Sequence, residues 1–576
     1  MSTAPSPHTR KLAIGAIAVL VVLLMLPNLL WLWLGSSTTL WVDALVIPTT
    51  LLLALFALFG NRPWIACVLM APFAMLAPLE AFYIGTYHRP TFAAILATIA
   101  TTNSRELREY LGDMMLPLLV LCLVAGLLVA LLAARWSRRS QLRWRPAVRI
   151  GALALAIAIP LGFGIVAGVT ATGTRAARLQ SGEQKESSLA DEIQYGYPFG
   201  MFQRLAEYHR LWKGMREDAS RLDTFRFHTH RVASFGQRQV YVLVIGEASR
   251  RANWQLFGYD RATNPELTQV RNLVPLPNLD SSWPESITAI PMILTRKPAD
   301  DTEYAWWKEA SILRAMQEAG FETWWISNQM PIGKYDSPVS TYAFEAQHDE
   351  FLNHVSWSAP GSYDADLLQP LLDALHGSNG DLFIVLHMMG SHQSYDYRYP
   401  EAYKHFRPAE SDPAGGIPAR EQSRNSYDNS ILYSDHVLAS IISILRDSGA
   451  VTALWYESDH GETLPTPNCT AQGHGHGTHA EYEISALSWY SDAYASAFPT
   501  RVAALRANAG KRLMSEDTFE SMIDMAGLDF PGHDRTWSVF SPTWRYRPRI
   551  VNRPSQIDID HARFDKYCGM VHPLHG

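Results

Sequence analysis

After Arg10 and Lys11, residues 12–34 are almost entirely apolar. A helix of that length crosses the ~30 Å hydrocarbon core of a bilayer. In lipid the backbone must satisfy its own N–H and C=O groups, so such a run has very few ways to fold. Further apolar runs lie near residues 44–59, 64–84, 115–134 and 150–171. They predict five spans, of which 44–59 is the shortest. The first run ends in no small-residue cleavage site and leads into more spans, so it reads as an uncleaved anchor rather than a signal peptide. Residues 1–172 are therefore expected to form a transmembrane domain of five helices.

Basic residues orient that domain. Arg135, Arg138, Arg139, Arg143, Arg145 and Arg149 stand between the fourth and fifth runs, with no acid among them. The positive-inside rule makes this loop cytoplasmic. Lys11 and Arg62 agree, which leaves the N-terminus inside and the large C-terminal part outside. In a bacterial cell that is the periplasm, at the inner membrane. A position between two spans argues against the Arg cluster being a nucleic-acid patch.

The external connection, residues 85–114, carries Thr102, Asn103, Glu106, Glu109 and Tyr110. Its stretch Glu106 to Gly112 reads either as a solvated loop or as a short amphipathic helix on the membrane surface. Residues 173–236 form a polar bridge. Within it Met201, Leu205, Tyr208, Leu211, Trp212 and Met215 have helical spacing over 199–217, which suits a helix resting on the bilayer or under the soluble part. Residues 218–236 read as a hinge.

From 237 to 576 strand-like and helical patterns alternate. Strands are expected at 239–246, 321–327, 381–387, 450–457 and 484–490. Helices are expected at 308–319, 363–377, 424–447, 498–508 and 517–526. Alternation of this kind predicts an α/β domain whose largely parallel sheet lies between helical layers. In such sheets the working residues gather past the carboxyl ends of the strands. Here one strand runs into Glu247, one into His387 to His392, and one, in Trp455 to Glu462 (WYESDHGE), into Asp459-His460. Gly461 would let the chain turn sharply there. Asp and His are ordinary zinc ligands. An isolated Asp-His pair is more often a polar loop; a second strand ending in Glu247 supplies the missing partner.

The chain has 576 residues, 48 % of them hydrophobic, and a net charge of −6. No CxxC pair, Gly-rich phosphate loop or internal repeat stands out. Of the four cysteines, Cys67 and Cys122 lie in apolar runs and read as core residues. Cys469 and Cys568 both fall in the oxidising half, where a disulfide between them is open to them.

Several blocks together resemble the phosphoethanolamine transferases, membrane enzymes of the alkaline phosphatase and sulfatase superfamily. These are Val244-Ile-Gly-Glu247-Ala-Ser-Arg250 with Gly258-Tyr259-Asp-Arg261-Ala-Thr-Asn-Pro265, then His387-x-x-Gly390-Ser391-His392 with Tyr399-Pro400. Tyr427-Asp428-Asn429 with Tyr433 and Asp435, and Ser458-Asp459-His460-Gly461-Glu462, complete the set. The likeness is nearest to the branch that modifies the lipopolysaccharide core, with the polymyxin-resistance lipid A enzymes as cousins.

The resemblance implies a periplasmic α/β/α sandwich of alkaline phosphatase type over residues 237–576. It implies a metal site of Glu247, Asp459, His460 and a hydroxyl nucleophile. The family carries Thr about forty residues after the Glu; here Ser286 falls 39 residues after Glu247, with Thr288 as the nearby competitor. The family's usual cysteines around this segment are missing. His392 and His479 are expected to bind phosphate or a second zinc, while His474 and His476 are expected to be loop residues. His387 should pack at its strand end, and Lys334 should be solvated. Thr102 and Glu106 match a spacing the family uses near the lipid head group, with Thr98 where an Asn is usual.

The implied reaction is zinc-dependent transfer of phosphoethanolamine from phosphatidylethanolamine to a lipopolysaccharide or other periplasmic glycan, by a monomer that needs no nucleic acid. One tight zinc suffices; a second would sit nearby. The chemistry is reasonable without the name. Serine is a poor nucleophile unless a base or metal activates it, and phosphoryl transfer rests on positioning and charge neutralisation. Alternatives are a phosphoglycerol transferase, a phosphatase or sulfatase of the same superfamily, or an inactive membrane-anchored sensor. Ser286 is followed by Ile-Thr-Ala-Ile, which removes the C/S-x-P-x-R setting a sulfatase needs.

Overall fold

The computed structural model describes residues 7–34, 41–87, 90–91, 96, 104–158, 196–206, 208–209, 222, 224–233, 236–301, 308–329, 338–353, 362–413, 416–552 and 555–574. The chain divides into two compact units. The first is Met1–Thr102 with Leu111–Arg210, the second Asn103–Tyr110 with Leu211–Gly576.

The first unit is helical. Its elements are α1 (Pro7–Leu34), α2 (Ile47–Leu58), α3 (Pro63–Leu69), α4 (Ala71–Tyr87), α5 (Ser104–Arg139), whose first turns belong to the second unit, α6 (Pro146–Ala158) and α7 (199–206). Two stretches, His8–Leu34 and Pro117–Arg139, are long and apolar enough to cross a membrane. The α3–α4 pair qualifies jointly but bends by 46°. The other two apolar helices are shorter, and residues 159–171 of the fifth expected span lie outside the described residues. Glu106 to Gly112 is neither a loop nor a separate surface helix, because α5 runs through it without a break. Extending a formed helix by a turn is far easier than nucleating a new one.

The bridge corrects the predicted stripe. Met201 is buried, but Leu205 is exposed and Arg204 is buried in its place. Arg204 Nη1 lies 2.7 Å from Glu80 Oε1 on α4 and also donates to the Thr91 carbonyl and hydroxyl at 2.7 and 2.6 Å. Asn28 of α1 accepts from Tyr197 N at 2.8 Å and donates to Tyr197 O at 2.6 Å. Polar contacts, invisible to apolar periodicity, hold this segment to the apolar helices.

The second unit is built on a seven-stranded sheet. Its strands are β1 (Gln239–Gly246), β2 (Leu273–Pro275), β3 (Glu322–Ser327), β4 (His348–Phe351), β5 (Leu382–His387), β6 (Val451–Ser458) and β7 (Ala486–Tyr490). They lie in the order β2-β7-β6-β1-β5-β3-β4. The run β6-β1-β5-β3-β4 is parallel, and β7 pairs antiparallel with both β6 and β2. The central strands β1, β5 and β6 are buried at every residue, as a sheet covered on both faces requires.

Alternation along each strand divides two cores. Tyr241, Leu243 and Ile245 face one, with Ile290 and Ile293 of α8 (Ser286–Leu294), Leu313 of α9 (Ile312–Glu318), Leu505 of α12 (Pro499–Asn508) and Ile523 of α13 (Asp517–Ala526). Val240, Val242 and Val244 face the other, with Leu371 of α10 (Leu368–Gly377) and Leu438 of α11 (Ala419–Asp447). This is the expected α/β/α sandwich. Past the sheet, β8 (Ala562–Phe564) and β9 (Val571–Pro573) form an antiparallel hairpin. Cys469 and Cys568 form a disulfide with Cα atoms 4.8 Å apart, which settles the pairing the sequence left open.

Candidate active site

Register levels the ends of the three central strands. Ile245 of β1 pairs with His387 of β5, and Gly246 pairs with Ser458 of β6. The next residue on β1 is Glu247, and the next two on β6 are Asp459 and His460. All three are buried, at 1 %, 0 % and 0 % exposure. His460 Nε2 lies 3.3 Å from Glu247 Oε1 and 3.5 Å from Asp459 Oδ2. Its Nδ1 sits 2.8 Å from the Gly461 carbonyl, which assigns the proton to Nδ1 and turns Nε2 toward the carboxylates. Gly461 is needed for space rather than for a turn: its φ is not positive, and a Cβ there would lie 2.1 Å from the Ala480 carbonyl.

Ser286 opens α8, directly after its N-cap Glu285. Its Oγ donates to Glu247 Oε2 at 3.1 Å and lies 3.3 Å from His460 Nε2. Thr288 Oγ1 instead donates to the Glu285 carbonyl at 3.0 Å. Of the expected nucleophile Ser286 and its competitor Thr288, only the Ser286 hydroxyl meets the cluster in this geometry.

The loop after β5 supports Glu247 from the other side. Ser391 N donates to the Glu247 carbonyl at 2.9 Å. Gly390 has φ +54°, and a Cβ there would approach that carbonyl to 2.6 Å, so glycine is required by both conformation and space. Buried Asp364 accepts from Met389 N at 2.7 Å, Gly390 N at 2.8 Å and Asn328 Nδ2 at 2.8 Å. Gln329 Nε2 donates to Glu247 Oε2 at 3.2 Å and to the Met388 carbonyl at 3.0 Å.

The charges follow from this crowding. Burial raises the Glu247 carboxyl, but the hydrogen bond and charge of His460 outweigh it and hold the group well below the usual range. Burial and the Glu247 charge push Asp459 up to about 7. Burial lowers His460, but Asp459 and Glu247 together carry it up to about 10. A buried cation between two carboxylates is therefore the favoured state. Apart from these ionic contacts with His460, Glu247 Oε1 and Asp459 Oδ2 are buried without a well-formed hydrogen bond, which is rare for such atoms. Glu247, Asp459 and His460 can each offer one atom, all within 4.8 Å of one another, and so can His460, Glu462 and His474. The donor set fits a zinc ion.

His474 is where the structure departs most from expectation. Its ring lies 4.3 Å from that of His460 and 6.0 Å from that of His392. Its Nδ1 is 3.2 Å from Glu462 Oε2, and Glu462 Oε1 accepts from Tyr395 at 2.6 Å. Burial lowers His474, but Glu462 reverses the shift. His479, expected at the centre, packs instead against the Phe564 ring at 4.1 Å and pairs with Glu483 at 3.4 Å. His476 stays in its loop, with Nε2 3.1 Å from the Gln472 carbonyl.

His392 does face the cluster: burial brings it down to about 3, against the pull of the Glu247 charge. His387 packs at its strand end beside Trp325, and burial takes it down to about 4. Thr102 and Lys334 lie outside the described residues, and Glu106 lies on α5 with its side chain outside them. Gln329, Asp364 and Tyr395 carried no motif signal. Glu462 stood in the quoted block, and its acidic side chain two residues after His460 was the available clue.

Comparison with known proteins adds to the geometry. The family model described as Sulfatase matches residues 239–528, and that described as Phosphoethanolamine transferase EptA/EptB matches residues 48–169. The phosphoethanolamine transferase EptC of Escherichia coli strain K12 is 27 % identical over 544 residues, covering 92 % of each chain. The C-terminal periplasmic domain of the Escherichia coli EptC, solved in complex with Zn, is 28 % identical with a TM-score of 0.52 and covers 59 % of this chain and 98 % of that one. The integral membrane lipooligosaccharide phosphoethanolamine transferase A of Neisseria meningitidis shares the fold, with a TM-score of 0.67 at 19 % identity over 93 % of this chain and 99 % of that one.

Proposed function

The chain belongs to the sulfatase family, and from that premise we propose that it moves phosphoethanolamine from phosphatidylethanolamine to a lipopolysaccharide acceptor, core heptose or lipid A, through a covalent ester on Ser286. The observation that carries this reading is the Ser286 hydroxyl lying against Glu247 and His460, beside two buried carboxylate oxygens that meet the His460 ring without a well-formed hydrogen bond. Sulfate-ester chemistry fits less well, because the residues after Ser286 cannot direct formylglycine formation.

Glu247, Asp459, His460 and Ser286 would hold one tight zinc ion, which when bound supplies Lewis-acid charge to the phosphate and lowers the pKa of the hydroxyl. Ser286 Oγ attacks the donor phosphorus; the bond to diacylglycerol oxygen breaks, and the proton lost by Ser286 ends on that oxygen. The acceptor hydroxyl then attacks the ester, its proton returns to Ser286 Oγ, and the serine is regenerated. The N-terminus of α8 places partial positive charge beside Ser286, where the phosphate charge builds up. His392 and His474 face the phosphate oxygens, and His474 thus takes the role expected of His479. Gln329 and the Ser391 amide keep Glu247 in place. Thr102 and Glu106 receive the lipid head group.

Around this site we read five spans with the Arg135 to Arg149 loop in the cytoplasm, and residues 237–576 in the periplasm as the catalytic domain of a monomer. The test is substitution. Ser286→Ala should abolish transfer while the protein stays folded and still binds zinc more weakly, since three ligands remain. Ser286→Thr keeps the hydroxyl and should stay active, and Thr288→Ala should stay near wild type. Full activity of Ser286→Ala would refute the assignment.

A further inference from the structure

His474 sits on a loop that cannot fix its own shape. Gly473, Gly475 and Gly477 flank the two loop histidines, with φ of +97°, +83° and +81°. Glycines in that region lower the strain of the turn but leave the unbound loop many alternatives. At its base the loop is tied inward. Thr463 and Gly473 exchange backbone hydrogen bonds at 2.9 and 3.0 Å. The buried Glu481 carboxylate accepts from Gly477 N at 2.8 Å and Thr463 Oγ1 at 2.6 Å.

Its other flank is held by the C-terminal hairpin. Cys469 is bonded to Cys568, 99 residues away. His479 N donates to the Gly569 carbonyl at 2.8 Å, and Val571 N donates to the Gly477 carbonyl at 3.1 Å. Thr478 forms a β-bridge with Met570, and Thr470 Oγ1 lies 3.1 Å from Tyr567 OH. The His479 ring packs at a tilt against Phe564 of β8, 4.1 Å between centroids. On the hairpin side Asp565 Oδ1 accepts four consecutive amides, from Tyr567 to Met570, at 2.9–3.2 Å. The hairpin turn is thus fixed by its own hydrogen bonds, whereas the loop leans on contacts from outside it. The hairpin also lies beyond the matched sulfatase segment, which ends at 528.

We propose that the hairpin β8–β9, locked by Cys469–Cys568, is a positioning clamp that holds the glycine loop so that His474 stays against His460 and Glu462. His479 then acts as a clamp contact. The proposal rests on the reading above only in assuming that His474 serves the reaction; the clamping itself is independent of what is transferred. It makes the site sensitive to reduction of one bond that is remote in sequence and has no part in the chemistry.

The experiment uses the full-length protein in detergent micelles, as wild type and as Cys469→Ser/Cys568→Ser. Hydrogen–deuterium exchange read by mass spectrometry should show amides of 463–479 exchanging on the order of tenfold faster in the variant, with peptides of β1 and β6 unchanged. Release of diacylglycerol from phosphatidylethanolamine in mixed micelles should fall about 10–100-fold in kcat, as a misplaced contact does. In a His474→Ala background, the cysteine substitutions should cause no further loss. Unchanged exchange in the loop would overturn the clamp. Equal fold-losses with and without His474 would likewise overturn it, since the bond would then act on stability alone. If wild-type protein releases no diacylglycerol, the proposed reaction fails, and the exchange result still decides the clamp.

Discussion

Ser286 Oγ faces a carboxylate and an imidazole, whereas Thr288 Oγ1 bonds back to its own helix. Spacing from Glu247 favoured Ser286 over Thr288, and the helix start at Ser286 points the same way. His474 and His479 show the reverse case. Both sit near the metal block in sequence, and only the path of a glycine-rich loop brings His474 inward. Nothing in a one-dimensional pattern encodes that path. At this scale the metal-free charges make a prediction. His460 holds its proton up to about 10 and Asp459 up to about 7, so zinc has to displace protons at neutral pH. The apparent zinc affinity of the metal-free protein should fall about tenfold per pH unit from pH 9 to pH 7, and more steeply below that. Competition titration with a chromophoric chelator at several pH values reads the slope; a flat profile would contradict the protonated site.

Elements were legible where burial is continuous. β1, β5 and β6 stand within one residue of their expected bounds because parallel strands buried on both faces read as unbroken apolar runs. β2 and β4 were not seen. β2 has three residues, and β4 reads His-Asp-Glu-Phe with most of it exposed; edge strands carry little pattern. α8 was missed because it spans nine residues with Pro291 inside. The bridge helix was seen, but its buried face was misread because the residue that fastens it is Arg204. Removing one partner of a buried ion pair strands the other charge, at a cost of about 3–5 kcal/mol. Arg204→Met should therefore destabilise the helical unit by about that much in detergent thermal unfolding, and adding Glu80→Gln should recover most of the loss. A double variant as unstable as Arg204→Met would show that packing rather than charge holds the bridge.

At the scale of the whole molecule, two compositions specify two units, and the proposed topology puts the basic loop Arg135 to Arg149 in the cytoplasm. A reporter active only outside the cytoplasm should be active when fused after Gly173 and silent when fused at Ser140; the reverse pattern would remove the periplasmic assignment. The disulfide belongs to this scale too; the sequence left it open, as a bridge allowed if both cysteines fall outside the cytoplasm, and the structure forms it. The proposed reaction joins the scales, because it asks one serine hydroxyl on the sheet domain of a membrane-anchored chain to act on a lipid. The most direct measurement is of the intermediate. Full-length protein incubated with phosphatidylethanolamine and no acceptor, then digested and sequenced by mass spectrometry, should carry one phosphoethanolamine group on Ser286, lost again when acceptor is added. A modified Thr288, or transfer that proceeds with Ser286 never modified, would contradict the account.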